Sequence, residues 1–336
     1  MTLTQRIGTK LYKETKQIGR DIGHVLGFDE SFYRDARGSR IVIYHGVCQR
    51  DHTRFNPIFI KLKTLEKHFQ FYKKYFNVVS IDDFYEQKFS RDKFNVCITF
   101  DDGYANNHKY VLYLLAKYQL PATFFVTAIR DAGYDILWND FLGMVQVYGP
   151  KMLLYKDQWF FKNRFNQYIS KQSGKKIVEI LRSGGFDIKQ EMMDLLYPLV
   201  LYRDSRPDNE DYWLQMTQQQ IRELALSPFA TIGSHGYYHN DLAQININDA
   251  YQEMVSSRQY LENIIDQPVT SLAFPYGTYN MDVINASKRA GYSQLLCTDF
   301  NSPEDQADPM MKERFTVNPF ISTLNQMRAT VTRRYE

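Results

Sequence analysis

The chain has 336 residues, 44% of them hydrophobic and 24% charged, which is ordinary for a globular protein and excludes disordered, collagenous and coiled-coil classes. Lys and Arg number 41 against 38 acidic residues, and a formal charge of +3 is too small to make nucleic acid the main partner. Aromatic residues reach 15%, and such amphipathic rings line cores and carbohydrate grooves alike. Cys48, Cys97 and Cys297 lie far apart and show no Cys-x-x-Cys spacing, so they read as small core residues. The N-terminus lacks the pattern of a secretory signal, and no apolar run approaches the ~18 residues of a membrane span. A soluble protein is expected, cytoplasmic or held peripherally at a membrane.

Residues 1–38 form the first expected unit. Ile7, Leu11, Ile18, Ile22 and Val25 recur at near-helical spacing among Arg6, Lys10, Lys13, Lys16 and Arg20, the pattern of a basic amphipathic helix. Docking against the main domain is the plainer reading, and contact with an anionic membrane surface is the sharper one. From residue 39 to 336, short apolar runs alternate with helical patterns. Expected strands are Ile41–His45, Asn77–Ile81, Asn95–Phe100, Ala122–Val126, Phe229–Ser234, Thr270–Phe274 and Tyr292–Cys297. Expected helices are Ile60–Tyr75, Tyr104–Lys117, Asp249–Ile265 and Met281–Ala290. Continuous apolar strands alternating with helices predict an α/β fold with a parallel sheet, and about seven units predict a barrel. No G-x-G-x-x-G follows a strand, which disfavours a dinucleotide fold. The rhythm breaks at about 140–212, where Lys/Gln-rich segments and a polar stretch predict a helical insertion.

Chemistry gathers at four strand ends. Asn95–Phe100 runs into Asp101, Asp102 and Gly103, and paired carboxylates at the C-terminal end of a strand occupy the place where barrel enzymes carry catalytic groups. The bland alternative is a helix cap beside a solvated Asp. Ser234 and His235 through His239 follow another apolar strand, and two histidines four apart can face one metal ion or simply be hydrogen-bonded. With Asp102 they make two imidazoles and one carboxylate, the donor set of a catalytic metal site with an open position. Phe274-Pro275-Tyr276-Gly277 and Tyr44-His45-Gly46-Val47 end two further strands.

These motifs, in this order, resemble the polysaccharide deacetylase family, also called carbohydrate esterase family four. The resemblance rests on Thr99 to Gly103, on Ser234 to His239, on Phe274 to Gly277, and on Ala-Thr-Phe-Phe-Val at Ala122 to Val126. It covers about residues 39–320 outside the insertion. It implies a deformed (β/α) barrel and a divalent-metal hydrolase that removes N-acetyl, or O-acetyl, groups from sugars of a polysaccharide, lipopolysaccharide or lipid-linked glycan. Zinc is the expected metal, with cobalt, nickel and iron as alternatives. Carried over by position, Asp101 is the general base, Asp102, His235 and His239 are the metal ligands, and the Tyr276 N–H is an oxyanion donor.

Two departures stand out. Ala273 occupies the position where the family's third motif usually begins with the Arg that orients the base, and Arg314 is the candidate replacement. The usual C-terminal Leu-x-His is absent, since no His follows His239. His45, in a context similar to the permuted members whose acid-bearing strand comes first, is therefore assigned as general acid. Tyr104, Trp138, Tyr237, Tyr238, Pro275, Tyr276 and Tyr279 are candidates for a sugar groove, or else core packing. The rival functions are a non-catalytic carbohydrate-binding descendant of the barrel, and an amidohydrolase acting on a small non-sugar amide.

Overall fold

Seven parallel strands close into a barrel in the computed structural model, which describes residues 15–17, 19–21, 30–55, 57–200 and 207–335. In chain order they are Ser39–Tyr44, Asn95–Phe100, Ala122–Val126, Ala230–Ser234, Ser271–Ala273, Gln294–Cys297 and Met311–Thr316. Each pairs with the next, and the seventh returns to the first through Ile41 opposite Arg314. These strands are largely buried on both faces, which explains the apolar runs in all but the seventh. Ile41, Cys97, Phe125, Ala273 and Leu296 share one small cluster, whereas Val42, Val96, Ile98, Phe124, Leu272 and Leu295 belong to the large core beneath the helices. Room inside is scarce. A Cβ on Gly233 would come within 2.5 Å of the Phe125 ring.

The expected number of units is right, but one member differs. Asn77–Ile81 is not a barrel strand: Asn77–Val78 pairs with the second strand outside the ring. Ser80 then accepts from the Asp83 N–H and starts a helix at Ile81, which cuts the strand short. The seventh strand, Met311–Thr316, escaped prediction because Lys312, Glu313 and Arg314 interrupt its apolar run. Helices Leu62–Tyr75, Ile247–Ile265 and Met281–Arg289 fall within two residues of expectation. The Tyr104–Lys117 pattern resolves into a π-helical turn, Asn107–Val111, leading into Leu112–Tyr118.

The 140–212 insertion is not all helical. Besides helices Trp138–Tyr148, Ile177–Arg182 and Phe186–Leu196, it holds a three-stranded antiparallel sheet of Met152–Tyr155, Gln158–Lys162 and Tyr168–Ser170. A period of two decides this: Leu153, Tyr155, Phe160 and Tyr168 point inward, and Lys156 and Asp157 take positive φ at the hairpin turn.

Of the N-terminal amphipathic pattern, Arg6, Ile7, Lys10, Leu11, Lys13, Ile18, Ile22 and Val25 lie outside the described residues. Residues 15–17 and 19–21 are helical, and Asn325 donates to the Gln17 carbonyl (3.2 Å) and to Asp21 (3.0 Å). Among the described residues no helix is long and apolar enough to cross a membrane.

Candidate metal centre and active site

The second strand delivers its carboxylates by a sharp reversal. Asp101 extends the ladder one step, donating its N–H to the Tyr44 carbonyl (2.9 Å). Asp102 (φ 74°) and Gly103 (φ 79°) are both left-handed, and a Cβ on Gly103 would lie 2.9 Å from Val126, so only glycine suits that turn. His239 (φ 58°) and Tyr276 (φ 63°) share this conformation, each at a cost on the order of 1 kcal/mol. Three strained non-glycine residues thus converge on one end of the barrel.

Asp102 Oδ1 lies 3.3 Å from His235 Nε2 and 3.2 Å from His239 Nε2, and all three side chains are buried. The three ligand atoms lie within 4.8 Å of one another. His235 Nδ1 is 2.8 Å from the Ala273 carbonyl, a partner that only an N–H can serve, so the Nε2 lone pair of the neutral ring faces the Asp102 oxygen. Two Nε2 atoms gathered on one carboxylate oxygen also suit a shared cation, which would take the place of the hydrogen bond that a protonated His235 makes to Asp102. The donor set, three protein ligands with room for more, suits a divalent ion of the catalytic kind.

Arg314 supplies the pairing that Ala273 cannot. Its guanidinium grips Asp101 bidentately, Nη1 to Oδ1 at 2.7 Å and Nη2 to Oδ2 at 2.8 Å, and touches Thr99 Oγ1 at 3.2 Å. Burial alone would raise both carboxyls; Arg314 outweighs it for Asp101, and the His239 and His235 imidazoles outweigh it for Asp102, which sits well below the usual carboxylate range. Burial works against the His235 imidazolium, yet Asp101 and Asp102 prevail and raise its pKa. For His239 burial prevails and the pKa falls.

A cavity of about 330 Å³ opens over these groups. His45 lines it from the end of the first strand, together with Tyr276, Gly277 and Thr298. Burial lowers the His45 pKa, with Asp102 and Asp101 pulling it back. Tyr276 stands 4.8 Å from the His239 ring, with the Arg182 guanidinium 4.2 Å over its face.

Other groove candidates are placed elsewhere. Tyr104 and Trp138 are fully buried beneath the site, Tyr104 donating to Asp140 (2.8 Å) and Trp138 to the His239 carbonyl (3.2 Å), so their hydrogen bonds hold the scaffold and their faces meet core. Pro275 is buried in its turn. Tyr279 is buried against Asp305, and Tyr237 and Tyr238 lie in a separate cavity, Tyr238 stacked 4.2 Å from Phe186.

Sequence reasoning missed the insertion's share. Asn139 reaches the cavity with a buried, unpartnered Oδ1. Lys189 bonds Asn240, and Arg182 donates to Asp241 at 2.7 Å, so two insertion helices brace the loop that carries His239. No motif marks these residues, since their roles follow from tertiary packing.

Residues 88–150 and 208–295 match the profile of the family described as polysaccharide deacetylase, and the gap lies within the insertion. YxkH of Bacillus subtilis (strain 168), named for polysaccharide deacetylation, is 25% identical over 107 residues, which is 32% of this chain and 38% of that protein. The match thus spans well under half of that relative. The Streptococcus pyogenes deacetylase PplD, solved in complex with acetate, superposes with a TM-score of 0.56 at 16% identity, covering 88% of this chain and 99% of that one. IcaB from Ammonifex degensii gives 0.53 at 14% identity, covering 88% and 98%. At such identities the superpositions speak for the fold.

Proposed function

The chain belongs to the polysaccharide deacetylase family, and from that premise we propose that it is a divalent-metal-dependent hydrolase removing N-acetyl groups from sugars of a polysaccharide, lipopolysaccharide or lipid-linked glycan. The observation that carries this reading is the Asp101–Arg314 fork set beside Asp102, His235 and His239. The family match supports the reaction class, and the buried donor set supports the metal, for which zinc is our choice.

Asp102, His235 and His239 would hold the ion, which when bound supplies a Lewis acid that acidifies water and polarises the acetamide carbonyl. Asp101 takes the proton of the attacking water. Arg314 keeps that carboxylate ionised and fixes its plane, so the base needs no reorganisation. The Tyr276 N–H is the donor assigned to the developing oxyanion. As the C–N bond breaks, His45 gives its proton to the sugar nitrogen, a poor leaving group without it, and acetate departs. Burial disfavours the His45 imidazolium, and the neighbouring Asp102 and Asp101 carboxylates pull it back toward the protonated form that the donor step needs. A cavity of about 330 Å³ sits at the small end of ligand pockets and suits one acetylated residue at a time.

The reading of a non-catalytic descendant drew on the missing Arg, and Arg314 removes that support. Asp101→Asn tests the proposal. It should retain metal yet lose most acetate release from N-acetylhexosamine glycans, because an amide cannot accept the proton. Full activity in this variant would return Asp101 to a capping role, and activity confined to small non-sugar amides would replace the substrate class.

A further inference from the structure

The outer face of the insertion's antiparallel sheet has the wrong composition for water. Antiparallel sheets with one face on a core normally turn polar residues outward. Here Met152 pairs with Phe161, Leu154 with Trp159, and Phe161 with Ile169, so every outward position of the ladder is apolar. Met152, Leu154, Trp159 and Phe161 are 40–51% exposed, and Phe165, in the second hairpin, is 65% exposed. The opposite face, with Leu153, Tyr155, Phe160 and Tyr168, is already committed to the core of the insertion.

Charge surrounds this face with one sign. Residues 150–176 hold seven basic side chains and one acidic one, Asp157, in a chain whose total is only +3. Glu191 pairs with Lys156, and Glu179 caps the Lys176 N–H. Counting both, and Asp187, which also acts on Lys156, seven minus four leaves a local +3. Lys151, Arg164, Lys171 and Lys175 are exposed around the apolar patch. Aromatic and aliphatic side chains ringed by cations are the composition that seats a protein at the interface of an anionic bilayer, where the rings enter the headgroup region and the cations meet lipid phosphates. A second copy of the same face would set +3 against +3, which disfavours self-association.

We propose that this sheet face docks on an anionic membrane surface. Helix Trp138–Tyr148 links it to the site, with Asn139 at the cavity and exposed Val147 and Tyr148 at the other end, beside the sheet. Eleven residues span roughly 16 Å. Taken with the proposed function, on which this last step rests, docking would bring the site to the membrane surface, where a lipid-linked glycan is presented. The docking itself is independent of the activity.

Trp159 provides the probe, being 41% exposed while Trp138 and Trp213 are buried. The full chain is mixed with sedimentable vesicles of phosphatidylcholine alone, or of phosphatidylcholine with phosphatidylglycerol at about three to one. With the anionic vesicles the protein should sediment, the Trp159 emission should shift to the blue, and brominated acyl chains should quench it; neutral vesicles should do far less. Phe161→Ser/Phe165→Ser should lower partition at least about ten-fold. Lys151→Gln and Lys171→Gln should each cost about five-fold, since exposed cations act additively at the surface. None of these four residues touches the catalytic cavity, so acetate release from a soluble substrate should persist. Three results would overturn the proposal: no sedimentation with anionic vesicles; sedimentation with unchanged Trp159 emission, which would place the contact elsewhere; or concentration-dependent association without lipid that the Phe variants abolish, which would make a second copy the occupant. A failure of activity with intact vesicle binding would instead count against the proposed reaction alone.

Discussion

Breaking the Arg314–Asp101 pair should show how much of the site depends on one buried fork. The two side chains are 1% and 4% exposed, with contacts of 2.7 and 2.8 Å. Arg314→Met removes the cation and keeps an unbranched apolar stem against the Phe125 ring, over which the guanidinium now lies at 5.2 Å. Asp101 is then buried without its partner, a change that costs about 3–5 kcal/mol in such pairs. At roughly 2 °C per kcal/mol for a large domain, Tm should fall by roughly 6–10 °C. The assay is thermal unfolding of chelator-treated protein, because a bound cation would compensate Asp101 and mask the loss. Asp101→Asn should likewise destabilise by stranding Arg314, whereas the double variant should recover most of the loss, giving a coupling of at least about 2 kcal/mol. Activity adds a second readout: Arg314→Lys keeps the charge and loses the fork, so kcat should fall while metal binding persists. Additive stability effects, with coupling below about 0.5 kcal/mol, or full activity in Arg314→Met would refute the pairing as the device that orients the base.

His45→Ala should keep metal and lower kcat on an acetamide by roughly 10²- to 10⁴-fold, while an activated ester, whose leaving group needs no proton, suffers much less. Equal losses on both substrates would assign His45 a structural role. Buried His68, whose pKa burial lowers to about 3, accepts or donates at the Tyr44 hydroxyl (2.9 Å). Its folded pKa lies below the unfolded value near 6.5, so the unfolded chain binds the extra proton and stability falls as pH drops from about 6.5 toward 3, by about 1.4 kcal/mol per unit. His68→Gln should therefore move acid unfolding to lower pH, and an unchanged midpoint would contradict this assignment.

The barrel was legible because parallel strands buried on both faces write themselves as apolar runs, and because Asp101, Asp102 and His235 follow such runs directly, with His239 four residues after His235. Met311–Thr316 was hidden for the opposite reason: Arg314 enters the barrel to meet Asp101, and a buried cation reads as a surface residue until its partner across 213 positions is known. The insertion misled in its own way. Met152, Leu154, Trp159 and Phe161 face outward, so apolar residues stand on both sides of its strands and blur the alternation that announces a sheet. Tyr104 directly follows a motif and Trp138 lies twelve residues beyond another, yet both turn into the core, which position along the chain cannot reveal.

The central claim, that Asp102, His235 and His239 hold one ion on which deacetylation depends, is tested most directly by titrating chelator-treated protein with zinc while bound metal and acetate release are read together. Acetate release should rise with occupancy and reach its plateau at one ion per chain, and His239→Ala should bind no stoichiometric metal and release no acetate, because two protein ligands rarely hold a catalytic ion. Full acetate release from metal-free protein, or unchanged occupancy in His239→Ala, would contradict it.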